Sequence, residues 1–150
     1  MNPPSMESVL HDWRYGQTQA ERLCAALMHL EGFESVDPQH PLGGPDERKD
    51  ILAIKAKRKW VGAAYFPATG KSFAEIKKKF CDDFSGVKRN NGSGFAFLVN
   101  QRLSVSERSE LISQTSQTET ELYHLERMVS ILDAPKGCGI RLEYLRIPID

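Results

Sequence analysis

The stretch Ile51-Leu52-Ala53-Ile54-Lys55-Ala56-Lys57-Arg58-Lys59-Trp60-Val61-Gly62-Ala63-Ala64-Tyr65-Phe66 decides how the chain is read. Two apolar runs, 51–54 and 60–66, flank the basic segment Lys57-Arg58-Lys59. Strand-like runs joined by a short polar turn predict a β-hairpin. Pro67 and Gly70 then break the chain. Residues 71–88 follow, with Phe73, Ile76, Phe80, Phe84 and Val87 stepping by 3, 4, 4 and 3. That spacing draws one apolar stripe along a helix. After a turn at 90–94, Phe95-Ala96-Phe97-Leu98-Val99 is apolar at every position. A strand of that kind is expected in the middle of a sheet covered on both faces.

Outward from this centre the pattern continues. Leu23, Ala26, Leu27 and Leu30 predict a helix over 17–31, and Gly32 suits its C-terminal cap. Residues 33–36 read as a short strand, and 38–47, with Pro41, Gly43-Gly44 and Pro45, as a loop. Ser104 and Glu107 have capping-box spacing and should open a helix to about residue 114. Residues 114–120 read as a loop, 122–125 as a strand and 126–133 as a helix stopped by Pro135 and Gly137. Residues 140–147 largely alternate and predict a last strand near a sheet edge. Residues 1–16 are read as a flexible tail, with Trp13 and Tyr15 available to dock, ahead of one domain over 17–150. The expected fold is α/β, with a mixed five- or six-stranded sheet flanked by helices.

Charge is the second guide. The chain has 20 Lys+Arg and 20 Asp+Glu, for zero net charge, but the charges are segregated. Residues 1–47 carry 2 basic and 8 acidic side chains, residues 48–89 carry 12 and 4, and residues 90–150 carry 6 and 8. A positive middle third attracts phosphates whatever the global balance. Lys55, Lys57, Arg58 and Lys59 on the hairpin, with Lys77 and Lys78 on the next helix, are the candidate nucleic-acid contacts. Solvated lysine faces are common in any domain, and that plainer reading also fits. No apolar run approaches the ~20 residues that cross a bilayer. The three cysteines form no C-x-x-C pair, and no basic n-region precedes an apolar stretch. Reduced thiols and a cytoplasmic setting are therefore expected, with no membrane partner.

The candidate chemistry lies just ahead of the hairpin. In Gly43-Gly44-Pro45-Asp46-Glu47-Arg48-Lys49-Asp50-Ile51, a Gly-Gly turn feeds a strand that begins with a carboxylate. Asp50 should stand at the mouth of the sheet, where Asp46 or Glu47 would add the hard oxygen ligands that a divalent ion prefers. Residues 21–66 resemble the restriction-endonuclease-like, or PD-(D/E)xK, superfamily in its Mrr-like branch. The points of likeness are Gly32-Phe33, Gly43-Gly44-Pro45-Asp46, Asp50-Ile51 and Trp60-Val61. The helix and apolar strand over 71–99 fit the family's core order. The resemblance implies a restriction-endonuclease-like core, Asp50 as the metal-binding aspartate, and a setting of bacterial DNA restriction or defence. In register with Trp60-Val61, the family's (E/Q)-x-K would occupy Ala63, Ala64 and Tyr65. None of these supplies a carboxylate or an ammonium.

The expectation is therefore a divergent, non-catalytic nuclease-like module. It would bind nucleic acid or a protein partner of a defence system, with no cofactor, and a homodimer is compatible with it. One alternative is an active nuclease with a rearranged centre. Asp50, Glu75 and Lys71 would then be catalytic, with Asp46 and Asp50 on Mg²⁺ and the reaction a phosphodiester hydrolysis. Another is an adaptor acting only through protein contacts. Glu75 and Lys79, four residues apart, read first as a helix-surface ion pair. Other chemistries lack their motifs: His11, His29, His40 and His124 are not paired at metal-binding spacing, Gly92-Ser93-Gly94 is no serine elbow, and Tyr65 stands where a P-loop ending at Gly70-Lys71-Ser72 needs its first glycine.

Overall fold

The computed structural model describes residues 5–38 and 51–147. Helices α1 (Met6–His11) and α2 (Gly16–Leu30) lead into strands β1 (Glu34–Pro38), β2 (Ile51–Lys55) and β3 (Arg58–Tyr65). Helix α3 (Phe73–Arg89), strand β4 (Gly94–Val99), helix α4 (Val105–Ser113), strand β5 (Glu119–Tyr123) and helix α5 (Leu125–Asp133) complete the core. The strands form one five-stranded sheet in the order β1-β2-β3-β4-β5. The β1–β2 and β2–β3 pairs are antiparallel, whereas β3–β4 and β4–β5 are parallel. Parallel neighbours need a crossover, and α3 and α4 supply the two that occur. No helix among the described residues is long and apolar enough to cross a membrane.

The sheet separates two apolar layers. On one face Trp60, Ala64, Ala96 and Leu98 pack with Leu23, Leu27 and Met28 of α2 and with Met128 and Leu132 of α5. On the other, Val61, Ala63, Phe95 and Phe97 pack with Ile76, Phe80 and Val87 of α3 and Leu111 of α4. Phe80 meets Phe95 and Phe97 edge-on, at 5.2 and 5.1 Å between ring centroids. All six residues of β4 are buried, as expected for a strand covered on both faces. Gly94 must be a glycine: a Cβ there would lie 2.3 Å from the Trp60 indole.

The β2–β3 turn is shorter than the sequence pattern implied. Lys55 pairs with Arg58, so only Ala56 and Lys57 form the loop, and Arg58 and Lys59 belong to the strand. Both loop residues have positive φ, 52° and 63°. Two left-handed residues between antiparallel strands are the mark of a type I′ turn, which Asn-Gly favours and this chain builds without either.

Two expectations are corrected. Residues 6–11, assigned to a flexible tail, form α1 instead, capped by the Ser5 side chain. Leu10 and Trp13 are buried. Trp13 stacks edge-on with Phe66 at 5.2 Å, and its Nε1–H donates to the Gly16 carbonyl. The last expected strand, 140–147, is helical: Cys138–Ile140 is an α-turn and Arg141–Leu145 a π-turn, after a 3-10 turn at Pro135–Gly137. Leu142, which alternation would bury, is exposed, while Ile140 and Tyr144, four apart, pack on the core.

Candidate functional site

The sequence-derived residues fall at two ends of the sheet. One end holds the C-termini of the parallel strands, where α/β folds commonly bind ligands. Ala63 and Tyr65 lie there on the face covered by α3. Ala63 is buried in the apolar layer. The Tyr65 phenol is partly buried, and that burial raises its pKa above the ordinary value. Glu75 and Asp83 push it the same way and Lys79 opposes them, so all three α3 charges act on Tyr65.

Within this cluster the expected Glu75–Lys79 pair is replaced by two others. The Lys79 ammonium lies 2.9 Å from Asp83, one turn further along, and the Lys71 ammonium lies 4.0 Å from Glu75. Glu75 is also held at the start of α3, where the Ser72 hydroxyl donates to its carboxylate and accepts from its backbone N–H. Lys71 and Glu75 are thus brought together, and the Glu75 charge acts on Tyr65. Asp46 and Asp50 lie outside the described residues. Among the described residues no group of three or more His, Cys, Asp or Glu side chains is placed to hold a metal ion. Ala63 and Tyr65 do not fit one either.

The other end of the sheet carries the hairpin tip. Here the basic residues separate into occupied and open. Lys55 sits over the Phe33 ring at 4.7 Å and the Trp60 ring at 5.6 Å. Arg58 forms an ion pair with Glu119 across the sheet. On α3, Lys77 pairs with Glu110 at 3.1 Å. Lys57, Lys59 and Lys78 are exposed and have no ion pair among the described residues. Lys57 and Lys59 line a shallow groove with Ser35, Leu52 and Ile54, and Asp37 is the carboxylate in that lining.

Two cations at this end, Lys88 and Arg89 in the last turn of α3, lie outside the set read from the sequence. The Ser93 N–H donates to the Lys59 carbonyl at 2.7 Å, which draws the end of α3 to the hairpin. Lys88, in the last turn of α3, is exposed and lacks an ion pair among the described residues. Its place after the apolar stripe resembled a common C-terminal helix charge, which complements the helix dipole.

The thiols and histidines add no catalytic constellation among the described residues. Cys24 is fully buried, and burial, with Glu21 nearby, raises its pKa. His124 precedes α5, and its Nε2 accepts from the Arg108 guanidinium at 3.1 Å. Burial and Arg108 both hold its pKa below the ordinary value. No family model, no curated protein and no solved structure matches the chain.

Proposed function

We propose that the chain is a nuclease-like module without the catalytic pair, which holds nucleic acid by its phosphate backbone. The observation that carries the reading is the pair of side chains at 63 and 65. The strand that would present a carboxylate and an ammonium in a restriction-endonuclease-like core presents a buried alanine and a partly buried tyrosine. The order α2-β1-β2-β3-α3-β4, with three antiparallel strands followed by a parallel one, supports the likeness to that core. Exposed lysines in the middle third support phosphate binding. The resemblance adds a setting in DNA restriction or defence.

A second reading, a metal-dependent nuclease built on Asp50, is favoured by one observation: Lys71 lies 4.0 Å from Glu75, whose charge acts on Tyr65. The two readings part in an assay of duplex DNA, single-stranded DNA and RNA with Mg²⁺ or Mn²⁺. Binding is read on the same samples. The expected result is binding that weakens steeply with salt and no cleavage. Cleavage abolished both by EDTA and by Asp50→Ala would overturn the proposal. Absence of binding to all three would point to protein contacts instead.

A further inference from the structure

We infer that the nucleic-acid contact is made at the hairpin end of the sheet, by Lys57, Lys59 and Lys88, and that its ligand is the backbone of a duplex. The inference rests on the nucleic-acid reading above and specifies its surface and substrate class. Three observations carry it. First, these three lysines are exposed, have no ion pair among the described residues, and lie on segments that the Ser93–Lys59 backbone hydrogen bond joins, Lys88 five residues before Ser93. Lys55, Arg58 and Lys77 have intramolecular partners, so the usable charge is narrower than the sequence shows.

Second, Lys57 stands at φ 63°. A side chain in that conformation is strained, and glycine or asparagine is the stable choice in a type I′ turn. A lysine there trades stability for a cation at the tip of the hairpin. Strain of this kind is commonly kept where it serves a function.

Third, the contact offers charge without a stacking platform. Single-strand binders place exposed aromatic rings beside their basic groove. The aromatic side chains at this end, Phe33 and Trp60, are buried against each other at 5.3 Å. What remains on the surface is lysine beside the half-exposed Ile54, which suits sequence-blind phosphate contacts and not base reading. Asp37 lies in the same groove and limits how many phosphates approach.

The test is fluorescence anisotropy of a labelled duplex, and of one of its strands alone, titrated over a range of salt. The intact chain is compared with Lys57→Gly, Lys59→Ala and Lys88→Ala, singly and together. Arg14→Ala, beside Trp13 at the opposite end, controls for loss of charge. The wild type is expected to prefer duplex, and each lysine substitution to make the log–log salt slope shallower by about 0.9. Arg14→Ala should leave it unchanged. Lys57→Gly should melt at a higher temperature while binding more weakly, so a folding defect cannot mimic the result. Wild-type binding that all three substitutions leave intact would overturn this surface and spare the proposed function. Preference for the single strand would overturn the duplex assignment. No binding by the wild type would overturn both.

Discussion

Lys59 and Tyr65 stand on the same face of β3, six residues apart. At about 3.3 Å per residue they are separated by about 20 Å. Lys59 and the position at which the proposed likeness would put a catalytic lysine therefore occupy opposite ends of one strand. On the proposed contact, the lysines that grip the duplex do not include those at the Tyr65 end. Tyr65→Phe is accordingly expected to leave duplex affinity within about twofold of wild type, since no phosphate contact is lost. An anisotropy titration at fixed salt checks this.

Asn100 ties the N-terminal helix to the sheet. It is fully buried at the end of β4, and its Nδ2 donates to the carbonyls of Leu10, His11 and Pro67. Its Oδ1 accepts from Gln101, whose Oε1 in turn accepts the Lys71 N–H. Asn100→Ala strands these buried groups. The expected loss is roughly 3 kcal/mol, measured by urea unfolding. Hydrogen exchange in α1 should rise more than in β3.

Gly94→Ala tests the close packing beneath Trp60. The new methyl would overlap the indole, which is itself 3% exposed and cannot swing into solvent without opening the core. Overpacking of this kind costs about 1–3 kcal/mol. The variant should melt lower and shift the Trp60 emission to longer wavelength. Gly62→Ala meets chiefly the flexible Met28 side chain and should cost less.

His124 makes the fold sensitive to acid. Burial first, and then Arg108, hold its folded pKa below the ordinary 6.5. The folded state therefore binds fewer protons than the unfolded state between the two values. Stability is complete above about pH 6.5 and falls as the pH drops through the folded pKa. Protonation would also remove the acceptor for Arg108. Thermal melts should decline below pH 6.5 in the wild type, and His124→Gln should flatten that decline. An unchanged pH profile in the variant would show that His124 is not responsible.

Much of the fold was legible because local signals agreed with one another. The apolar stripe from Phe73 to Val87 and the unbroken run Phe95–Val99 leave little choice of element, and Ser104 with Glu107 marks a helix start that the structure reproduces as a full capping box. The 140–147 segment misled because Ile140 and Tyr144 satisfy a period of two and a spacing of four equally well; only packing against the core decides. Helix α1 was missed because six residues carry almost no helical signal of their own. It is held by Asn100, about 90 residues away. The same distance problem blurred the candidate site. Arg58 and Lys77 are neutralised by Glu119 and Glu110, partners remote in sequence, so counting lysines overstates the open charge.

The most direct test of where nucleic acid sits is lysine protection. The protein is acetylated sparingly with and without bound duplex, and each lysine is quantified by mass spectrometry. Lys57, Lys59 and Lys88 should be protected by the duplex, while Lys71 and Lys79, at the Tyr65 end, should react equally in both samples. Protection centred on Lys71 and Lys79, with the hairpin lysines unaffected, would contradict the account and place the ligand over the Tyr65 end of the sheet.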